Sequence, residues 1–118
     1  MRRIMLVDDH AFVRTSLAQL LDLQDDFDVV AQCVDGDDAI GMADTVRPDV
    51  VVMDLNMPIM NGAVAAGRIL KRNPRIAVII LTASPTSVLA RQAIDAGARR
   101  CIPKDAPHSV IFDAIRGK

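Results

Sequence analysis

Apolar residues along this chain fall into short unbroken runs, each followed by a stripe at helical spacing, and the alternation occurs five times. Ile4 to Val7 is the first run, and Val13, Leu17, Leu20 and Leu21 follow at i, i+4, i+7 and i+8, one face of a helix. Val29 to Val34 predicts a second strand. Asp37 is the expected cap of a helix carrying Ala39, Ile40, Ala43 and Val46, stopped by Arg47-Pro48. Val50 to Met53 predicts a third strand that ends at Asp54. Asn61-Gly62 has the composition of a hairpin turn, but the residues around it are helical: Val64, Ala65, Ile69 and Leu70 form a stripe that ends at Asn73-Pro74. Ile76 to Leu81 is the fourth strand. Ser84-Pro85 offers a cap and a first-turn proline in the expected order, and Gly97 is placed to close that helix. Arg100 to Ile102 is a short fifth strand, and Pro107 opens a last helix through Ile111, Ala114 and Ile115.

Strands without alternation are buried on both faces, which requires parallel strands covered by helices on each side. The fold class expected is therefore α/β: a doubly wound five-stranded parallel sheet, (βα)5 and flavodoxin-like. Right-handed crossovers and a ligand site at the switch point favour the strand order 2-1-3-4-5. With 118 residues, 51% of them hydrophobic, and no repeat, low-complexity tract or linker, the chain reads as one domain over 1–118. No run of about 18 apolar residues is available to span a bilayer, and the stretch after Met-Arg-Arg is too short for a secretory signal. A soluble, cytoplasmic domain is expected. Cys33 and Cys101 have neither disulfide-framework nor metal-ligand spacing. They fall on opposite edge strands about 19 Å apart at about 4.8 Å per strand, so they cannot be bridged, and each is expected to be a buried structural thiol.

The net charge of −1 conceals an uneven distribution. Residues 1–59 carry 4 Lys/Arg against 12 Asp, and residues 60–118 carry 10 against 3; no Glu occurs. In the expected strand order the acidic half forms one side of the sheet and the basic half the other. Arg91, Arg99, Arg100, Arg116 and Lys118 should then enrich the side of the fourth helix, fifth strand and fifth helix, making contacts there salt-sensitive.

Asp8, Asp9, Asp54, Thr82 and Lys104 all stand at or just past predicted strand ends. The carboxyl edge of an open α/β sheet is where ligands bind, so three carboxylates, a hydroxyl and an ammonium share one shallow pocket. Two carboxylates about 4 Å apart repel by about 4 kcal/mol at an effective dielectric near 20. A hard divalent cation relieves that repulsion, and Mg²⁺ takes a few carboxylate oxygens while keeping several waters. A lone aspartate at a strand end is ordinarily a loop solvator, Thr82 alone a β-branched strand residue and Lys104 alone a surface cation; it is their combination that points to chemistry. Pro58 and Gly62 are expected to shape the loop after Asp54. His10 adjoins the acidic pair and His108 is expected to be a solvated residue at a helix start, and neither has a second histidine at ligand spacing.

Val7-Asp8-Asp9-His10, Met53-Asp54-Leu55-Asn56-Met57-Pro58 with Asn61-Gly62, Leu81-Thr82-Ala83 and Pro103-Lys104-Asp105 occur in that order along the whole chain. Together they resemble the receiver domain of two-component response regulators, the CheY-like family. Val13-Arg14 and Ala96-Gly97-Ala98-Arg99 make the chain most similar to the NarL/FixJ class. The resemblance implies that Asp54 accepts a phosphoryl group from a sensor histidine kinase with Mg²⁺ as cofactor. It implies Asp9 and Asp54 as direct ligands, the Asn56 carbonyl as a third, and Asp8 acting through water. Lys104 and Thr82 would each meet a phosphoryl oxygen, and Asn56 and Ser84 would influence slow autodephosphorylation.

By the same resemblance, Thr82 and Ala83 form a switch that moves the loop to Thr86, the fourth helix and the fifth strand, controlling an output such as transcription. An aromatic residue usual three positions before the lysine is here Cys101, so a smaller rearrangement of the fifth strand is expected. Kinase docking is expected at Ala11 to Thr15 and Lys104 to His108. A homodimer is expected through the fourth-helix, fifth-strand, fifth-helix face or through the first and fifth helices. A helix-turn-helix normally follows in the NarL/FixJ class, and none precedes Lys118, so no nucleic-acid binding is expected of these residues. Two other functions share parts of this pattern. A haloacid-dehalogenase phosphohydrolase also uses an aspartyl nucleophile, but its second aspartate is here Asn56. A phosphorylation-independent interaction domain has no need of the pocket.

Overall fold

The computed structural model describes residues 1–118. Its elements are β1 (Arg2–Val7), α1 (Ala11–Asp22), β2 (Phe27–Cys33), α2 (Gly36–Val46), β3 (Val50–Asp54), α3 (Gly62–Arg72), β4 (Ala77–Thr82), α4 (Val88–Asp95), β5 (Arg100–Pro103) and α5 (His108–Arg116). All strand pairs are parallel, and the sheet order is β2-β1-β3-β4-β5, as the sequence predicts.

The two-residue period of a strand divides each unbroken apolar run between two cores. Met5, Val7, Val51, Met53, Val78 and Ile80 point to one side, where they pack with Ala39 and Ala43 of α2, Ala65, Ala66 and Ile69 of α3, and Ala90 and Ala93 of α4. Ile4, Leu6, Val50, Val52, Ile79 and Leu81 point to the other, against Ala18 and Leu21 of α1 and Ile111, Ala114 and Ile115 of α5. The central strands β3 and β4 are buried throughout, whereas the edge strand β2 is buried only at Phe27 and Cys33.

Several element ends differ from expectation. The second strand starts at Phe27, where the buried ring packs edge-on against Phe112 at 6.0 Å. Asp35, not Asp37, caps α2: its carboxylate accepts from the Asp38 amide at 2.8 Å, and Asp37 and Asp38 occupy the first turn, where the helix dipole favours them. The Ser84-Pro85 helix start is also corrected. Residues 84 to 87 form a turn closed by the Ser87 amide on the Ser84 carbonyl, and Ser87 caps α4 by accepting from the Ala90 amide at 3.1 Å. A cap at Ser87 puts Ala90 and Ala93 on the core face. Val13 was expected in the core stripe of α1, but it and Phe12 are exposed, and the burial falls to Ala18 and Leu21. Gly97, at φ +112, follows α4 as expected.

The cysteines are free. Cys33 is fully buried, and burial pushes its thiol up to about 12. Cys101 is half-buried rather than buried, with its thiol directed at the Ala90 carbonyl 3.6 Å away. Arg116 lies on α5 as expected, and from there it pairs with both oxygens of Asp26 at 2.7 and 2.9 Å and covers the Phe27 ring.

Candidate functional site

β1 and β3 are neighbours at the point where strand order reverses, so the chain segments leaving them diverge and open a crevice. Asp8 and Asp9 follow β1 directly, and Asp54 is the last residue of β3. Both backbone groups of Asp8 are tied: its amide donates to the Cys33 carbonyl at 3.0 Å, and the Arg14 guanidinium donates to its carbonyl at 2.8 Å. Its carboxylate accepts from the His10 amide at 2.8 Å, which turns the chain into α1.

These constraints bring four side chains together. Ligand atoms of Asp8, Asp9, His10 and Asp54 all lie within 4.8 Å of one another. The His10 Nδ1 is 3.1 Å from Asp8 Oδ1, 3.3 Å from Asp9 Oδ1 and 4.0 Å from Asp54 Oδ2. The sequence placed His10 beside the acids; the structure adds that its ring leans over them. Arg14 enters the sequence reading only as part of a motif, and its hold on the Asp8 carbonyl becomes visible only once α1 is folded back over β1.

The Asp54 side chain is 1% exposed, and its two oxygens differ. Oδ1 faces Lys104 Nζ at 3.0 Å and accepts from the Asn56 amide at 3.2 Å. Oδ2 is buried with no hydrogen-bond partner. A buried carboxylate oxygen without a donor is costly, and a cation or an incoming electrophile removes that cost. An oxygen-rich donor set with an orphaned buried oxygen fits a hard divalent ion and fits zinc poorly, because only one nitrogen and no thiolate is present.

The loop after Asp54 is built to hold this carboxylate. Ile59 sits at φ +71, and the Met60 amide donates to the Pro58 carbonyl at 2.7 Å, a tight γ-turn. The turn brings Gly62 back onto β3, where its amide donates to the Leu55 carbonyl at 2.8 Å. A Cβ on Gly62 would lie 2.6 Å from the Asp54 carbonyl oxygen and 2.9 Å from Leu55 Cα, so only glycine fits. Pro58 and Gly62 therefore shape the loop, as expected. Asn61 caps α3 through the Val64 amide at 3.0 Å.

The remaining residues stand at the rim. Thr82 ends β4, fully buried, and its hydroxyl accepts from the Ser84 amide at 3.1 Å rather than bonding Asp54. The Lys104 amide donates to the Thr82 carbonyl at 2.9 Å, which joins the ends of β4 and β5. Ala83 is exposed at the head of the loop. Cys101 lies beneath α4, paired in register with Ile80 and away from the acidic cluster. His108 is exposed on α5, as expected.

A sequence profile of the response regulator receiver domain matches residues 4–116. The chain belongs to the response regulator receiver domain family. It is 35% identical over 115 residues to the transcriptional regulatory protein LnrK of Bacillus subtilis, covering 98% of this chain and 52% of that one. To the nitrate/nitrite response regulator protein NarP of Escherichia coli it is 38% identical over 114 residues, with coverage of 97% and 53%. The chain thus spans about half the length of these relatives. Among solved structures, the response regulator domain of Thermotoga maritima CheB superposes with a TM-score of 0.92 at 30% identity, covering 99% of this chain and 95% of that one. The protein is a two-component receiver domain of the same lineage as transcriptional response regulators, and none of its helices is long and apolar enough to cross a membrane.

Proposed function

We propose that residues 1–118 act as one phospho-acceptor unit in which Asp54 takes a phosphoryl group from a histidine kinase, in the cytoplasm. The observation that carries this reading is the unequal environment of the Asp54 carboxylate: Oδ1 is held by Lys104 and the Asn56 amide, and Oδ2 is buried and free. Oδ2 attacks phosphorus, forming an O–P bond as the P–N bond of a phosphohistidine breaks, and the departing imidazole takes up a proton. Lys104 places a compact positive charge against one phosphoryl oxygen, and the Thr82 hydroxyl turns from the Ser84 amide to donate to another. Asp9, Asp54 and the Asn56 carbonyl would hold Mg²⁺, with Asp8 acting through water. When bound, the ion neutralises charge on the phosphoryl oxygens. Asn56 and Ser84 flank the approach of the water that later hydrolyses the acyl phosphate.

Movement of Thr82 toward the phosphoryl group pulls Ala83 and Ser84, and through the turn 84–87 it reaches the cap of α4. Cys101 beneath α4 is smaller than an aromatic side chain, so β5 moves little between states. Kinase docking is assigned to the apolar groove of about 380 Å³ between α1 and α5, where exposed Phe12 and Val13 face Lys104 and His108. A second copy of the domain would use that face or the surface of α4, β5 and α5. The output that this switch controls is transcription. Incubation with a small-molecule phosphodonor and Mg²⁺ tests the reading: one phosphoryl group per chain on Asp54 supports it, and continuous turnover or no incorporation refutes it.

A further inference from the structure

A second concave site lies at the opposite pole of the sheet. In a parallel sheet all strand starts share one edge, and here that edge is where Arg2, the Arg47-Pro48-Asp49 connection, Asn73 to Ala77 and Arg99 come together. They line a cleft of about 560 Å³ that shares no residue with the acidic pocket. Four arginines, Arg2, Arg47, Arg75 and Arg99, line it together with a single acidic residue, Asp49. That carboxylate is engaged, since one of its oxygens accepts from the Arg3 amide at 2.8 Å. Arg2 donates once, to the Arg116 carbonyl at 2.9 Å. Among the hydrogen bonds and ion pairs of the fold, none involves the side chains of Arg47, Arg75 or Arg99.

Like charges gathered in a concavity with protein walls focus their field and attract an anion of matching charge. The backbone adds a second observation. Arg47 ends α2 in the left-handed region, at φ +50 and ψ +66. That conformation costs a residue with a Cβ roughly 1–2 kcal/mol and is usually filled by glycine. Here the residue that holds it is an arginine lining the cleft. Beside Arg47, Asn73 and Ile76 the surface continues into a groove of about 340 Å³ between α2 and α3, lined by Ile40, Ala43 and Ile69 together with the Asp44–Arg72 ion pair. The site thus joins an arginine-rich end to one of mixed character.

We propose that this cleft binds a small molecule carrying a pyrophosphate group, with Arg47, Arg75 and Arg99 as its charge partners. Guanidinium forks match phosphate oxygens in pairs, and several are needed to balance the charge of a diphosphate. The anion can be inorganic pyrophosphate or the diphosphate of a nucleotide, whose base would use the adjoining groove.

Calorimetric titration of the whole chain with inorganic pyrophosphate and with ADP, in Mg²⁺-free buffer, tests the proposal. Saturable 1:1 binding that weakens with salt is expected. Tighter binding of ADP assigns the groove to a base, and equal binding assigns the site to the inorganic anion. Arg75→Gln combined with Arg99→Gln should weaken binding by about tenfold or more and leave phosphoryl uptake at Asp54 unchanged. Arg47→Gly should weaken binding without lowering the thermal midpoint, because glycine is at ease at that φ. The Asp54→Asn variant should bind like the unaltered protein. Absence of saturable binding for both probes, undiminished binding in the double arginine variant, or loss of binding in Asp54→Asn would overturn the proposal.

Discussion

Lys104 Nζ and Asp54 Oδ1 are 3.0 Å apart, so the lysine occupies one oxygen of the carboxylate and leaves the other without a donor. Under the proposed function, this arrangement leaves Lys104 as a charge for the phosphoryl group rather than a neutraliser of the whole carboxylate. Replacing it by alanine should slow phosphoryl uptake from a small-molecule donor by about 10²-fold, the usual cost of removing one preorganised electrostatic partner. Lys104→Arg should restore only part of the rate, because a planar fork does not reproduce a point charge. Stopped-flow or mass-spectrometric time courses read both.

The crowding of Asp8, Asp9 and Asp54 sets the response to metal. With three carboxylates inside 4.8 Å and only His10 and Lys104 against them, binding of Mg²⁺ relieves repulsion in the folded state alone. At ten times its Kd the ion should raise stability by ~1.4 kcal/mol. Thermal melts with and without Mg²⁺ should show the rise, and Asp9→Asn should remove most of it. A chelator should reverse the effect.

Gly62 couples the fold to the site. Its missing Cβ lets the γ-turn loop lie against Asp54 and Leu55 backbone, neither of which can yield as a flexible side chain would. Gly62→Ala should destabilise by ~1–3 kcal/mol, the range for forced overpacking. It should also slow phosphoryl uptake, because the displaced strand end carries Asp54. Denaturant unfolding and labelling on the same variant check both effects.

Acid should weaken the tie between α5 and the α1–β2 connection. Hydrogen bonding to Arg116, chiefly, holds the Asp26 carboxyl down at about 2 against an ordinary value of 3.8. A depressed folded-state value means that the unfolded chain binds the proton more readily. The contribution is therefore fully present above about pH 4 and is lost as pH falls from there through about 2. Asp26→Asn should flatten the stability profile in that window and leave it unchanged at neutral pH apart from the constant loss of the pair.

Most of the architecture was legible in the sequence because both-face burial writes itself as unbroken apolar runs. β3 and β4 are fully buried and were located to within one residue at each end. The acidic cluster and Lys104 were legible for a related reason: strand ends at one edge of a parallel sheet must be near each other. Helix starts were harder. Asp35 and Asp37 can both cap, as can Ser84 and Ser87, and the choice falls to whichever register presents Ala39 and Ala43, or Ala90 and Ala93, to the core. The pairing of Arg116 was not legible, because its partner Asp26 is 90 residues away in sequence and meets it only once α5 packs beside the α1–β2 connection. The arginine cleft was hidden for the same reason, since its four arginines come from the start of β1 and from three separate connections.

In the proposed function Asp54 is the acceptor, and its free Oδ2 forms the bond to phosphorus. Intact-mass measurement after incubation with a small-molecule phosphodonor and Mg²⁺ tests it most directly, comparing the unaltered chain with Asp54→Asn. A gain of one phosphoryl group is expected for the former, removed by mild base, and none for the latter. Equal phosphoryl incorporation in the Asp54→Asn variant would contradict it.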